Sequence, residues 1–223
     1  MDSQPTLRPL TFRLGGLHID TRGALILVLT TLLLMVDAYH RFLGGNTFIE
    51  ILRGKAIERL VYYLLIPLAV IVLVFGDRPR DYGFTVGDWR QGLKWTGIVL
   101  LLAVPVIVAS GRTPEMRGYY DLYRGGWPEL LSTFGLDLLG WEFVFRGFLL
   151  FGLYRLMGPT AVIAQAVPFA LAHIGKPELE TLSTIFGGTL FGWVAWRSRS
   201  FVYPFLIHWF IFSVTVFVAR SGF

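Results

Sequence analysis

The chain has 223 residues, 54% of them apolar and only 16% charged, with a mean hydropathy of +0.60. That balance excludes an ordinary soluble domain and points to a polytopic α-helical membrane protein. The net charge of +5 is spread over the loops without a basic block, which argues against nucleic acid as a partner, and the absence of cysteine excludes disulfides, thiolate nucleophiles and zinc–thiolate sites.

Residues 1–22 are polar, with Pro5, Pro9, Arg8, Arg13 and Arg22, and read as a loosely ordered tail. Residues 23–223 read as a single transmembrane domain. Its first apolar run is Gly23–Tyr39, a retained span rather than a cleaved leader, because no small-residue cleavage pattern follows it. Arg41–Arg59 reads as a polar connection turning at Gly44-Gly45-Asn46. The second span is expected over Ile57–Gly76, with Pro67 able to kink it. Asp77–Pro79 reads as a turn, and Asp88 caps a helix that becomes the third span, to about Ser110.

Gly111–Trp127 is a loop rich in Gly, Tyr and Arg, suited to the membrane interface near a site entrance. In the long run Pro128–Met157, Gly135 and Gly140 are expected to break the helix, leaving Leu136–Met157 as the fourth span, and Gly158-Pro159 ends it. Thr160–Ile174 is the fifth span, loosened by Pro168 just before His173. Lys176-Pro177-Glu178 links to the sixth, Leu179–Trp196, whose Ser183, Gly187, Gly188 and Gly192 permit close helix approach. Phe201–Ala219 is the seventh. The fold class expected is therefore an all-α transmembrane bundle of about seven spans. Lys and Arg are nearly balanced between the two sides, so orientation is not set.

The polar residues inside these spans are few. Glu142 and Arg146 are four apart, on one helical face and in the favourable order for an ion pair. His173 ends the fifth span, His208 lies on the seventh, and Asp137 sits near the start of the fourth. Each would need its own partner in hydrocarbon, whereas one shared polar cavity satisfies them together. In such a cavity a shielded carboxylate can take a proton from water, one histidine can orient that water, and another can donate to an oxyanion. No serine stands in a nucleophile-elbow pattern. Water-mediated peptide hydrolysis is the economical enzymatic reading. Zinc held by two His and one Glu is the lesser alternative; the chain lacks an H-E-x-x-H helix, and only Asp137, Glu178 or Glu180 could then serve as base. A proton-coupled transporter is disfavoured because no internal repeat is visible.

Three ordered motifs carry a resemblance: Trp141-Glu142-Phe143-Val144-Phe145-Arg146, Phe169-Ala170-Leu171-Ala172-His173, and His208-Trp209-Phe210-Ile211-Phe212. In apolar helices they resemble EExxxR, FxxxH and HxxxN of the CAAX-protease and bacteriocin-processing family of intramembrane glutamic endopeptidases. The likeness covers the catalytic core, about residues 127–219. It implies an intramembrane endopeptidase without a cofactor, acting on a membrane-anchored or lipidated protein in the bilayer of a cell, by expectation prokaryotic. By the resemblance Glu142 activates water, His173 positions it, His208 stabilises the oxyanion and Arg146 orients Glu142. Two positions depart from the pattern: Trp141 stands where the family has its first Glu, usually assigned as the water-activating one, and Phe212 stands where it has Asn. Asp137 is then a fallback base, and a non-catalytic membrane scaffold is the alternative from another class.

Overall fold

In hydrocarbon every backbone N–H and C=O must be satisfied internally, so long apolar runs fold as helices. The computed structural model describes residues 11–221, and helices dominate it. α1 is Thr21–Tyr39, N-capped by Asp20, whose carboxylate accepts from the Gly23 amide at 2.7 Å. Ahead of it lies an antiparallel hairpin, β1 (Thr11–Leu14) and β2 (Leu17–Asp20), turned by Gly15 and Gly16, both at positive φ. The expected loose tail is thus corrected from residue 11 onward; Pro5, Arg8 and Pro9 lie outside the described residues.

α2 runs over Phe48–Val74, with π-helical turns at Val61–Leu65 and Val70–Val74 on either side of Pro67. It starts well before the expected Ile57, because Thr47 and Glu50 form a capping box that nucleates helix inside the supposed polar connection. α3 is Trp89–Ser110, with Asp88 as the N-cap, as expected. α4 is the short helix Pro114–Tyr120. α5 spans 127–157, as Trp127–Glu142, a π-helical turn Phe143–Leu149, and Leu150–Met157. α6 is the broken pair Ala161–Ala164 and Ala166–Leu171, α7 is Glu178–Ser198 and α8 is Val202–Arg220.

Five stretches are long and apolar enough to cross a membrane: Thr21–Tyr39, Phe48–Val74, Trp89–Ser110, Trp127–Leu171 and Val202–Arg220. The chain is an integral membrane protein and an all-α bundle. Seven separate spans are not met by length and composition. α6 continues the apolar stretch of α5 as two short pieces, and α7 has the length but not the hydropathy.

The axis of the bundle is α5, buried at every residue from 140 to 153. α1, α2, α7 and α8 pack around it. The expected break at Gly140 does not occur. A Cβ there would sit 2.7 Å from the Arg59 carbonyl oxygen, so Gly140 serves close approach of α2 to α5. The expected small-residue stripe on α7 does act this way: a Cβ on Gly188 would come within 2.8 Å of the Phe169 ring, which places α6 directly on α7.

Candidate active site

Glu142 and Arg146 are both fully buried at the centre of α5. The π-helical turn starts immediately after Glu142 and contains Arg146. Widened turns of this kind re-aim side chains and recur at functional sites. The pair expected from the sequence forms: Arg146 Nε lies 3.2 Å from Glu142 Oε2. The remaining surface of the guanidinium meets aromatic faces, with Phe169 at 3.9 Å and Phe191 at 5.3 Å. Ring quadrupoles supply part of what water would give this cation.

The other carboxylate oxygen, Oε1, accepts a buried 2.6 Å hydrogen bond from Nδ1 of His208 on α8. His173 follows the end of α6. The helix breaks at Gln165, one turn ahead of Pro168, which has no N–H to give back along the helix. The frayed end lets His173 Nδ1 donate to the Phe169 carbonyl at 2.8 Å. A carboxylate and a carbonyl only accept, so both imidazoles carry their proton on Nδ1 and keep Nε2 free as a base. The two rings lie 6.4 Å apart, inclined by 26°. Phe169 touches all three charged or basic groups, at 4.5 Å from the His173 ring, 5.9 Å from the His208 ring and 3.9 Å from Arg146.

Two cavities meet at the histidines. One, of about 160 Å³, is polar and is lined by Lys55, Arg59, Tyr123, Asp137 and Lys176 among others. The second, of about 330 Å³, is largely apolar and lies among α3, α7 and α8. His173, His208 and Phe212 line both. Glu142 lines neither and stands behind His208.

The two departing positions have packing partners of their own. Trp141 is buried, 6.0 Å from the His173 ring, and the Arg59 guanidinium covers it at 4.6 Å. Phe212 completes an aromatic box with Phe134 at 4.6 Å, Tyr123 at 5.4 Å and Tyr120 at 5.7 Å. Burial, then neighbouring Tyr119 and Asp137, push the Tyr123 hydroxyl above its ordinary value, and burial with Glu180 does the same for Tyr120, so both stay neutral donors. The stretch Gly111–Trp127, expected as a loop, carries the helix α4; its Tyr119 and Tyr123 line the polar cavity and its Tyr120 the apolar one.

Asp137 faces the polar cavity, with both oxygens held at 3.0 Å by Arg59, which also grips Asp37 at 2.9 to 3.1 Å. Asp37, Lys55 and Arg59 do not figure among the site residues expected from sequence. The signal was present, since ionisable residues in α1 and at the start of the second apolar run are themselves intramembrane charges. Among the described residues no group of three His, Asp or Glu side chains is arranged to hold a metal ion.

Residues 123–214 match the family model Type II CAAX prenyl endopeptidase Rce1-like. No curated protein and no solved structure matches. The Rce1-like stretch contains Glu142, Arg146, His173 and His208, together with Trp141 and Phe212, and bears out the resemblance carried by the three motifs. It leaves out Asp37, Lys55 and Arg59.

Proposed function

We propose that the protein is an intramembrane endopeptidase that cleaves a membrane-anchored or lipidated protein with a water molecule activated by the Glu142–His208 pair. The observation that carries this reading is the buried 2.6 Å hydrogen bond between them, set at a wall shared by a polar and an apolar cavity. Likeness to the Rce1-like family supports the reaction class.

The buried position of Glu142 favours its acting through His208 rather than on water directly. His208 Nε2 takes a proton from water as the oxygen attacks the scissile carbonyl carbon. Glu142 balances the imidazolium from behind, and Arg146 keeps Glu142 oriented. His173 Nε2 accepts the second water hydrogen and aims the attacking lone pair. The imidazolium stabilises the oxyanion and then gives its proton to the leaving nitrogen as the C–N bond breaks. The polar cavity supplies water and room for peptide, and the apolar cavity accommodates a lipid chain or an apolar segment. No metal is required by these steps.

The test is proteolysis in reconstituted membranes with single-span and lipidated peptides, with and without chelator. Cleavage that survives chelation and is lost in Glu142→Gln and in His208→Ala is expected. Chelator-sensitive cleavage would transfer the chemistry to a metal, and full activity in both variants would overturn the proposal.

A further inference from the structure

The hairpin ahead of α1 has no part in the site described above, and its two faces are unlike. Side chains alternate along a strand, and the register pairs Phe12 with Ile19 and Leu14 with Leu17. Those four therefore share one face of the ribbon, while Thr11, Arg13, His18 and Asp20 share the other. A lone two-stranded hairpin is marginal in water and needs its apolar face covered. Among the described residues nothing covers this one: Phe12 is 43% exposed, Leu14 62% and Leu17 65%.

Its depth follows from α1. β2 ends at Asp20 and α1 begins at Thr21, with Asp20 as the cap, so no linker separates them. α1 has 19 residues, about 28 Å at 1.5 Å per residue, and uses its whole length to cross a hydrocarbon core of about 30 Å. The hairpin therefore starts where the hydrocarbon ends. Asp77 accepts from both Arg22 and Arg155, and the Asp88 amide donates to the Ser198 carbonyl at 2.8 Å, so the loop 75–88 and the turn between α7 and α8 lie at the same end. Charge divides unevenly between the two ends. Among the described residues the hairpin end holds nine Lys and Arg against four Asp and Glu, and the opposite end holds nine of each. The four acids are already engaged: Asp20 and Asp88 cap helices, Asp77 joins two arginines, and Asp81 lies 4.0 Å from Arg80. Arg78, Arg80, Arg90, Lys94, Arg197 and Arg199 are all exposed there.

We infer that the hairpin is a membrane foot: residues 11–20 lie along the headgroup boundary at the positive end of the bundle, with Phe12, Leu14, Leu17 and Ile19 set among the outer acyl chains of anionic phospholipids. An amphipathic element in that position sinks its apolar face roughly 5–10 Å past the headgroups, within reach of these side chains while the polar face stays wet. The exposed cations select the lipid, because each one near a negatively charged surface adds to the attraction. Phe84, Val86 and Trp89, exposed at the same end, suit the same boundary. The inference does not depend on the endopeptidase reading, and the hairpin lies outside the residues that match the Rce1-like family.

The chain has no cysteine, so a single introduced thiol can be labelled alone. Leu14→Cys, Leu17→Cys and His18→Cys are made separately in the full-length protein and labelled with nitrobenzoxadiazole. Each is placed, one copy per nanodisc, in phosphatidylcholine with or without phosphatidylglycerol. Quenching is measured with iodide from the water and with lipids carrying a nitroxide high on the acyl chain. With phosphatidylglycerol present, iodide quenching at Leu14→Cys and Leu17→Cys is expected to be at least about threefold weaker than at His18→Cys, and nitroxide quenching stronger. Nitroxide quenching at the two leucine positions is expected to fall without phosphatidylglycerol and in high salt, which screens the attraction without altering the chain. Replacing Arg78, Arg80, Arg90 and Lys94 together by Gln is expected to abolish the difference between the two lipid mixtures. Equal iodide access to all three labels overturns the inference. So does protection seen only in crowded proteoliposomes and not in single-copy nanodiscs, which would assign the apolar face to a second copy of the chain. Equal insertion in both lipid mixtures overturns the assignment to anionic lipid.

Discussion

At Glu142 the side chain has no route to a cavity of its own, and each of its oxygens already faces a partner, His208 on one side and Arg146 on the other. Removing its charge without changing its shape therefore tests an indirect role. Glu142→Gln is expected to keep the fold, since an amide oxygen still accepts from His208, and to lower kcat by about 10²-fold or more with little change in KM. Proteolysis in proteoliposomes checks it, and an unchanged kcat would leave Glu142 a purely structural partner of Arg146. Phe169 offers a second residue-level test. Its ring covers the Arg146 guanidinium at 3.9 Å, so Phe169→Leu keeps an apolar side chain but removes the π face. A loss of about 1–2 kcal/mol is expected, measured as the shift in chemical unfolding in mixed micelles.

At the scale of elements, the pairing of α2 with α5 sets the site, because it carries Arg59 onto Trp141 and Asp137. Gly140 permits that approach. Gly140→Ala would place a methyl 2.7 Å from the Arg59 carbonyl, a backbone atom that cannot swing aside. The expected cost is about 1–3 kcal/mol, read as a lower unfolding midpoint in detergent. An unchanged midpoint would mean that α2 and α5 can separate without loss.

The same pairing marks what the sequence made legible. Glu142, Arg146, His173 and His208 could be read because each is an isolated polar residue in an apolar run, and their order carried the family resemblance. Arg59 and Lys55 were not placed at the site, because the capping box at Thr47 starts α2 earlier than hydropathy does and draws a charged segment into the bundle; Asp37 was visible as a charge in α1, but only the fold brings it onto Arg59. Gly140 has the composition of a helix break; only the neighbouring backbone turns it into a contact. The seven expected spans rested on treating α6 as a crossing, whereas Gln165 divides it and its buried amide donates to Val162 and Gly188 carbonyls at 2.8 Å each.

At the scale of the whole molecule, one carboxylate outside the membrane-spanning helices ties together distant parts of the chain. Asp77, in the loop after α2, accepts from Arg22 at the start of α1, from Tyr82 at 2.9 Å and from Arg155 near the end of α5 at 2.9 Å. Burial pushes its carboxyl up, but the hydrogen bonds from Arg22, Arg155 and Tyr82 outweigh that and hold it below the ordinary value. The sign of the linkage follows. A group whose pKa is depressed in the folded state adds stability that is fully present above its unfolded pKa, near 3.9 for Asp. That stability is lost as pH falls through the folded value, when the carboxyl takes up a proton and two arginines lose their shared acceptor. Thermal unfolding in detergent between about pH 3 and pH 7 should show a steep loss in the wild type below about pH 4. Asp77→Asn should be less stable at pH 7 and should show a shallower loss over the acid range, because the variant has no proton to take up there. Parallel profiles would mean that other carboxylates set the acid limit and that the Arg22–Asp77–Arg155 tie contributes little to holding α1 against α5.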